Sequence, residues 1–204
     1  MGLDYSYEIF LPARNIPRAL GELAKLLPPG RGEPALALTL PGGEQLLIPF
    51  TSHFKRDPVD CSTGRNLELD TVLLFEVDEA VRGYHVASNA KREQAGLSAL
   101  ELDESGRAAI GYIYLTARFS PKLHPHYASL QFTAATSDMS RLFECSGSVR
   151  KTFTALARDS DAVYCLLDTE TDTFQICWLN GRETEETVLA PPRTANVTTW
   201  FEQG

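Results

Sequence analysis

The chain has 204 residues, long enough for one substantial core or for two small ones sharing an interface. Its composition, 43% hydrophobic and 23% charged, is that of an ordinary globular protein and excludes a disordered or fibrous class. A net charge of −8 and an isoelectric point near 5.0 argue against nucleic acid as the main partner, because phosphate binding needs a concentrated basic face. The same acidity serves solubility, or steers a cationic ligand or basic protein toward the surface.

Met1-Gly2-Leu3-Asp4-Tyr5 is acidic and enters a strand at once, unlike the basic-then-apolar layout of a secretion signal. Met1-Gly2 matches a myristoylation start only through Ser6, and the composition is bacterial in character, so the match is discounted. No apolar run approaches the roughly 20 residues that span a bilayer. The expectation is a cytoplasmic protein without a membrane partner.

Ser6–Leu11 alternates as a strand, and Pro12 ends it. Asn15 is suited to cap a helix, Pro17 falls in its first turn, and Ile16, Leu20, Leu23 and Leu27 form one apolar stripe. Pro28-Pro29-Gly30 stops that helix. Ala35–Leu40, Pro41-Gly42-Gly43 and Gln45–Phe50 read as a hairpin. Thr51–Asn66, with His53, Lys55, Arg56 and Cys61, has no period and reads as a long loop. Leu67–Val77 resumes as a strand. Asp78–His85 is compatible with an extension of that strand or with a short helix, and Asn89–Gln94 is polar. Leu97–Leu102 and Ala108–Phe119 flank an Asp103–Gly106 turn as a second hairpin. The run from Ile110 to Leu115 is among the most β-prone in the chain.

Tyr127–Thr133 opens a second round. Ser137 or Asp138 is suited to cap a helical piece carrying Met139, Leu142 and Phe143. After Ser146-Gly147, Ser148 is suited to cap another, with Val149, Phe153, Leu156 and Ala157 on one face. Ala162–Leu167 and Thr173–Leu179 close the round, with Phe174, Ile176 and Trp178 on one face. Gly181–Glu186 is polar. Val188–Gly204, broken by Pro191-Pro192, either adds a short strand containing Trp200 or packs across the surface.

The expected class is therefore α+β: antiparallel sheet built from two βαββ-like units, 3–50 and 127–180, with helices on one face. A β-rich middle segment, 51–126, joins them, and an extension, 181–204, follows, all within a single compact domain. Two units of this order can leave a groove between their helices. In element order alone, without a shared motif, the pair is similar to GyrI-like small-molecule-binding folds.

The short signatures of catalysis and nucleotide binding are missing: there is no G-x-S-x-G elbow, P-loop, dinucleotide glycine run or H-E-x-x-H helix. Cys61, Cys145, Cys165 and Cys177 contain no C-x-x-C pair. Cys165 and Cys177 can face each other across the last hairpin and are read as small buried hydrophobes. Basic neighbours of Cys61 would favour a thiolate, but His53 is the nearest base and a plain structural cysteine is preferred. His124-Pro-His126 has the spacing of a metal pair, yet a polar loop is the simpler reading, so no metal or cofactor is expected.

Two candidate binding sites remain. Ser146, Ser148 and Arg150 at a helix start, with Arg141 nearby, have the chemistry of a small-anion pocket. Glu8, ringed by Tyr5, Phe10, Tyr127 and Trp178, has the chemistry of an organic-cation site. The preferred reading is a non-enzymatic, acidic, cytoplasmic protein that binds a basic partner protein, of immunity or regulatory type. The alternative is a small-molecule-binding domain with weak hydrolytic activity, using the groove to hold a small organic ligand.

Overall fold

The computed structural model describes residues 2–28, 35–49, 58–119 and 126–189. Within them the chain is α+β, with helices packed on a large antiparallel sheet and a small second sheet sharing their core. The first strand, β1 (Ser6–Pro12), leads through a 3₁₀ turn at Ala13–Asn15 into α1 (Ile16–Ala24). Ile16, Ala19, Leu20 and Leu23 form the buried stripe of α1, as their spacing requires. Asn15 precedes the helix but makes no side-chain cap; its amide donates to the Ser160 carbonyl at 3.0 Å.

The hairpin that follows, β2 (Ala35–Thr39) and β3 (Gln45–Pro49), does not join β1. It forms the small sheet with β4 (Val59–Asp60), a two-residue parallel strand inside the stretch that reads as loop in the sequence. Residues 51–57 of that stretch lie outside the described residues, as do His124, Trp200 and the Pro191-Pro192 break.

The large sheet continues with β5 (Leu67–Phe75), β6 (Ala108–Phe119) and β7 (Tyr127–Ala134). It then takes β8 (Tyr164–Asp168), β9 (Thr173–Leu179), β10 (Arg182–Glu183) and β11 (Thr187–Leu189). Its order is β10-β9-β8-β1-β7-β6-β5, with β11 also on β9. β1 is threaded between β7 and β8, antiparallel to both, so Glu8 stands opposite Gln131 on one side and Leu166 on the other. The two βαββ units thus interlock through β1 rather than lie side by side.

Between β5 and β6 runs α2 (Glu79–Gln94), a 16-residue helix where the sequence left strand and short helix open. Its apolar stripe is weak because only Val81 is fully buried. The Tyr84 hydroxyl anchors it to the Ile110 carbonyl at 2.7 Å. Residues 97–101 form no strand. The Asn89 side chain instead holds Leu100, donating to its carbonyl at 3.2 Å and accepting from its N–H at 2.7 Å, and only Leu102 bridges to Ala108.

After β7 come α3 (Ser137–Cys145) and α4 (Gly147–Asp159). Their caps lie earlier than expected: Thr136 accepts from Met139 N at 3.3 Å, and Ser146 accepts from Val149 N at 3.2 Å. Both capping residues are extended, which lets the side chain reach back to the first turn. In β9 the register passes from Cys165↔Trp178 to Leu166↔Ile176, so Cys177 is a bulge residue. The bulge breaks the expected face: Ile176 joins Phe10, Tyr164 and Leu166, while Cys177 and Trp178 join the helix-side core.

All four helices contribute to that core. Its centre is Phe153 of α4, fully buried. Its ring lies 4.3 Å from Tyr7 of β1, 5.0 Å from Phe132 of β7, 5.7 Å from Phe143 of α3 and 6.0 Å from Phe75 of β5. Removing that ring leaves four neighbours facing a void. Phe153→Ala is expected to cost about 3–5 kcal/mol and Phe153→Leu clearly less, read from urea midpoints at unchanged slope.

Candidate functional site

At the start of α4, Ser146 and Ser148 meet an anion that is the protein's own. Asp78 caps α2 by accepting from Val81 N at 2.8 Å through Oδ1. Its Oδ2 accepts from the Ser146 hydroxyl at 2.8 Å and from Ser148 N at 2.9 Å. The Ser146 and Ser148 hydroxyls lie 3.1 Å apart, within hydrogen-bonding distance of each other. One carboxylate therefore closes the N-termini of two helices. Burial pushes the Asp78 carboxyl up, but the N–H groups of Val81 and Ser148 and the two serine hydroxyls outweigh it and hold it below the ordinary range.

The two arginines assigned to this pocket go elsewhere. Arg150 donates to the carbonyls of Ile176 at 3.2 Å and Thr184 at 2.9 Å, tying α4 to the end of the sheet. Arg141 is exposed on α3, 3.5 Å from Asp138. Ser146 and Ser148 stand together as expected, and Arg141 and Arg150 do not join them. Asp78 is the residue that sequence reasoning missed, although Asp-Glu-Ala-Val before a helical run is an N-cap signal.

Glu8 lies on the face of the sheet away from the helices. Of its expected ring, Phe10 and Tyr127 share that face, stacked at 5.3 Å, and Tyr164 stacks on Phe10 at 5.2 Å. Trp178 and Tyr5 pack on the helix side, and the Trp178 indole donates to the Ala162 carbonyl at 3.0 Å. Burial raises the Glu8 carboxyl; Arg118 and a Ser129 hydrogen bond oppose that, while Asp168 adds to it.

The cross-strand registers set out this helix-free face in rows. One runs Asp70, Tyr114, Thr133, Ser6, Asp168 from β5 to β8; the next runs Glu68, Thr116, Gln131, Glu8, Leu166. A third holds Arg118, Ser129, Phe10 and Tyr164. Arg118 donates to Gln131 Oε1 at 2.8 Å, and Gln131 donates to the Ser6 hydroxyl at 3.2 Å. Among the described residues of these five strands, four carboxylates (Glu8, Glu68, Asp70, Asp168) lie on this face with one guanidinium, Arg118; Glu8 is the most enclosed of them, beside the buried Ser129 and Phe10. Tyr112 and Tyr114 stand on the same face, 42% and 49% exposed. Tyrosines alternating with Ile113 and Leu115 are the signal for that placement.

On the helix side, a cleft of about 240 Å³ lies where α1 and α4 meet. Its wall includes Lys25, Arg107 and Lys151 facing Glu22, Glu76 and Asp159, above Leu26, Leu74 and Leu156. Lys151 pairs with Glu76 at 3.1 Å, and Lys25 with Glu22 at 2.5 Å. None of the sequence-predicted site residues lines it. Cys61 is fully buried and its thiol is pushed up by burial against the opposing Arg65 charge. Among the described residues no group of three or more His, Cys, Asp or Glu gathers around a point, and no helix is long and apolar enough to cross a membrane.

No protein-family model matches the chain, and no curated protein or solved structure does either.

Because Asp78 is more acidic folded than unfolded, its contribution is complete above the ordinary aspartate range and is lost as pH falls through the folded value. Asp78→Ala is expected to cost about 1–3 kcal/mol at neutral pH. The gap from the parent protein should narrow on acidification in urea unfolding; an equal gap at pH 7 and pH 3 would exclude a charged double cap.

Proposed function

We propose that the chain is a non-enzymatic interaction protein that binds a basic partner protein, of immunity or regulatory type, through its helix-free sheet face. The carrying observation is the pair of exposed tyrosines, Tyr112 and Tyr114, on a face where, among the described residues of β5, β6, β7, β1 and β8, four carboxylates accompany one guanidinium. Tyrosine supplies large contact area at low entropic cost and is enriched where interfaces concentrate their energy. The carboxylates supply complementarity to a cationic surface, and the net charge of −8 extends that attraction beyond contact distance. A rigid sheet presents these groups without reordering, which lowers the cost of association. The main helix-start anion site is also already satisfied by Asp78, which favours a protein partner over a small anion there.

A second reading, a small-ligand-binding domain, is favoured by the cleft between α1 and α4. Its opposed charges over an apolar floor suit a small zwitterion such as an amino acid or short peptide. Its volume of about 240 Å³ is below the roughly 300–1,000 Å³ usual for such sites, which limits it to a small ligand.

Pull-down from the source lysate at low and high salt separates the two. The first reading expects a stoichiometric basic protein, released by salt, with affinity falling about 30-fold in Tyr112→Ala/Tyr114→Ala. Retention unchanged in that variant would overturn it. The second expects a melting temperature that rises with the logarithm of amino-acid or peptide concentration and no longer does so in Lys151→Ala.

A further inference from the structure

We propose that Cys165 and Cys177 are a redox pair that closes into a disulfide across the β8–β9 hairpin when the protein meets a hydroperoxide. The bulge in β9 makes this arrangement. With regular pairing, consecutive residues 177 and 178 would point to opposite faces. The extra residue instead turns both Cys177 and Trp178 to the helix side, where Cys165 also points. The register partner of Cys165 is Trp178, and Cys177, the bulge residue beside it, is the second residue set opposite Cys165; disulfides bridge Cα atoms roughly 4.4–6.8 Å apart. Both sulfurs are free thiols near enough to shift each other's acidity, and the Cys177 thiol donates to the Gln175 carbonyl at 3.8 Å. Cys61 belongs to the segment following β4 in the small sheet, and Cys145 is exposed at the end of α3, so neither competes for this bond.

The two thiols are unequal. The neighbouring Cys165 thiol, aided by the nearby Arg150 guanidinium, lowers Cys177 against the effect of burial. Burial, followed by the neighbouring Cys177 thiol, raises Cys165 well above the ordinary thiol range. Arg150 is also held at the Ile176 carbonyl, next to Cys177 in the chain, so Cys177 is assigned as the attacking thiolate and Cys165 as the resolving thiol. In the first step the Cys177 sulfur bonds to one peroxide oxygen, the O–O bond breaks, and hydroxide or alkoxide leaves. The product is a sulfenic acid, and the peroxide is reduced. In the second step the Cys165 sulfur attacks the Cys177 sulfur, the S–O bond breaks, and water leaves with the Cys165 proton. The pair is 0% and 1% exposed, but among the described residues only the two-residue β10 and three-residue β11 stand beyond β9. Local opening of that short edge is the route for a small peroxide.

The test uses the full chain with Cys145→Ser, which removes the exposed thiol. Trypsin releases Asp159–Arg182 with both cysteines in one fragment. After hydrogen peroxide, that fragment is expected to lose the mass of two hydrogens and to take no alkylating agent under denaturing conditions. Further cleavage after Glu170 should leave two pieces that separate only on reduction with dithiothreitol. The oxidised protein should melt higher than the reduced one, since the bond closes a short loop. In Cys165→Ala, a 1,3-dione should trap the sulfenic acid on Cys177; because that variant changes the core, the first readout does not depend on it. A fragment that still takes two alkyl groups after peroxide, or gains oxygen instead of losing hydrogen, overturns the proposal. So does an oxidised protein that melts lower.

Discussion

The packing of Phe153 against rings from β1, β5, β7 and α3 is the contact on which the architecture depends. β1 reaches the middle of the large sheet far from its sequence neighbours, and α4 is the helix laid over that middle. Tyr7 joins the two, stacked on Phe153 and donating its hydroxyl to the Phe143 carbonyl at 3.0 Å. A buried phenol is tolerated there because its one donor has a partner. The same contact decides which side of the sheet is core and which side is left for other work.

Once that side is chosen, strand alternation distributes the chemistry. Tyr7, Ile9 and Leu11 point to the helices, so Ser6, Glu8 and Phe10 must point away. The same holds for Ile113 and Leu115 against Tyr112 and Tyr114. The helix-free face consequently carries polar, acidic and aromatic residues, and Phe10, Tyr164, Leu166 and Ile176 form a second buried cluster on it. At the helix termini the opposite economy operates. The free N–H groups of α2 and α4 meet one carboxylate, Asp78, which joins two segments 68 residues apart between Asp78 and Ser146.

Much of the fold was legible in local patterns. The stripe of α1, the hairpin of β2 and β3, and the full sequence of elements from β7 to β9 follow from spacing and turn residues. α2 was not, because a helix with a single fully buried residue carries almost no apolar period. Residues 97–101 resemble a strand in composition, yet Asn89 supplies the hydrogen bonds a partner strand would have given. Of the site, Ser146 and Ser148 were recognisable as helix-start residues, and Glu8 as facing away from Tyr7. Their partners were not, since Asp78, Arg118 and Gln131 are brought in from distant strands and loops.

The amino-acid order by itself determined the class, the antiparallel strands and the helix-start chemistry, because these depend on residues a few positions apart. Only tertiary structure decided that β1 lies between β7 and β8, that Asp78 fills the anion site, and that Trp178 parts from Glu8. The first two turn on long-range pairing and the third on one extra residue in β9. A register shift of a single residue exchanges the two faces of a strand, and nothing local to the strand reveals it.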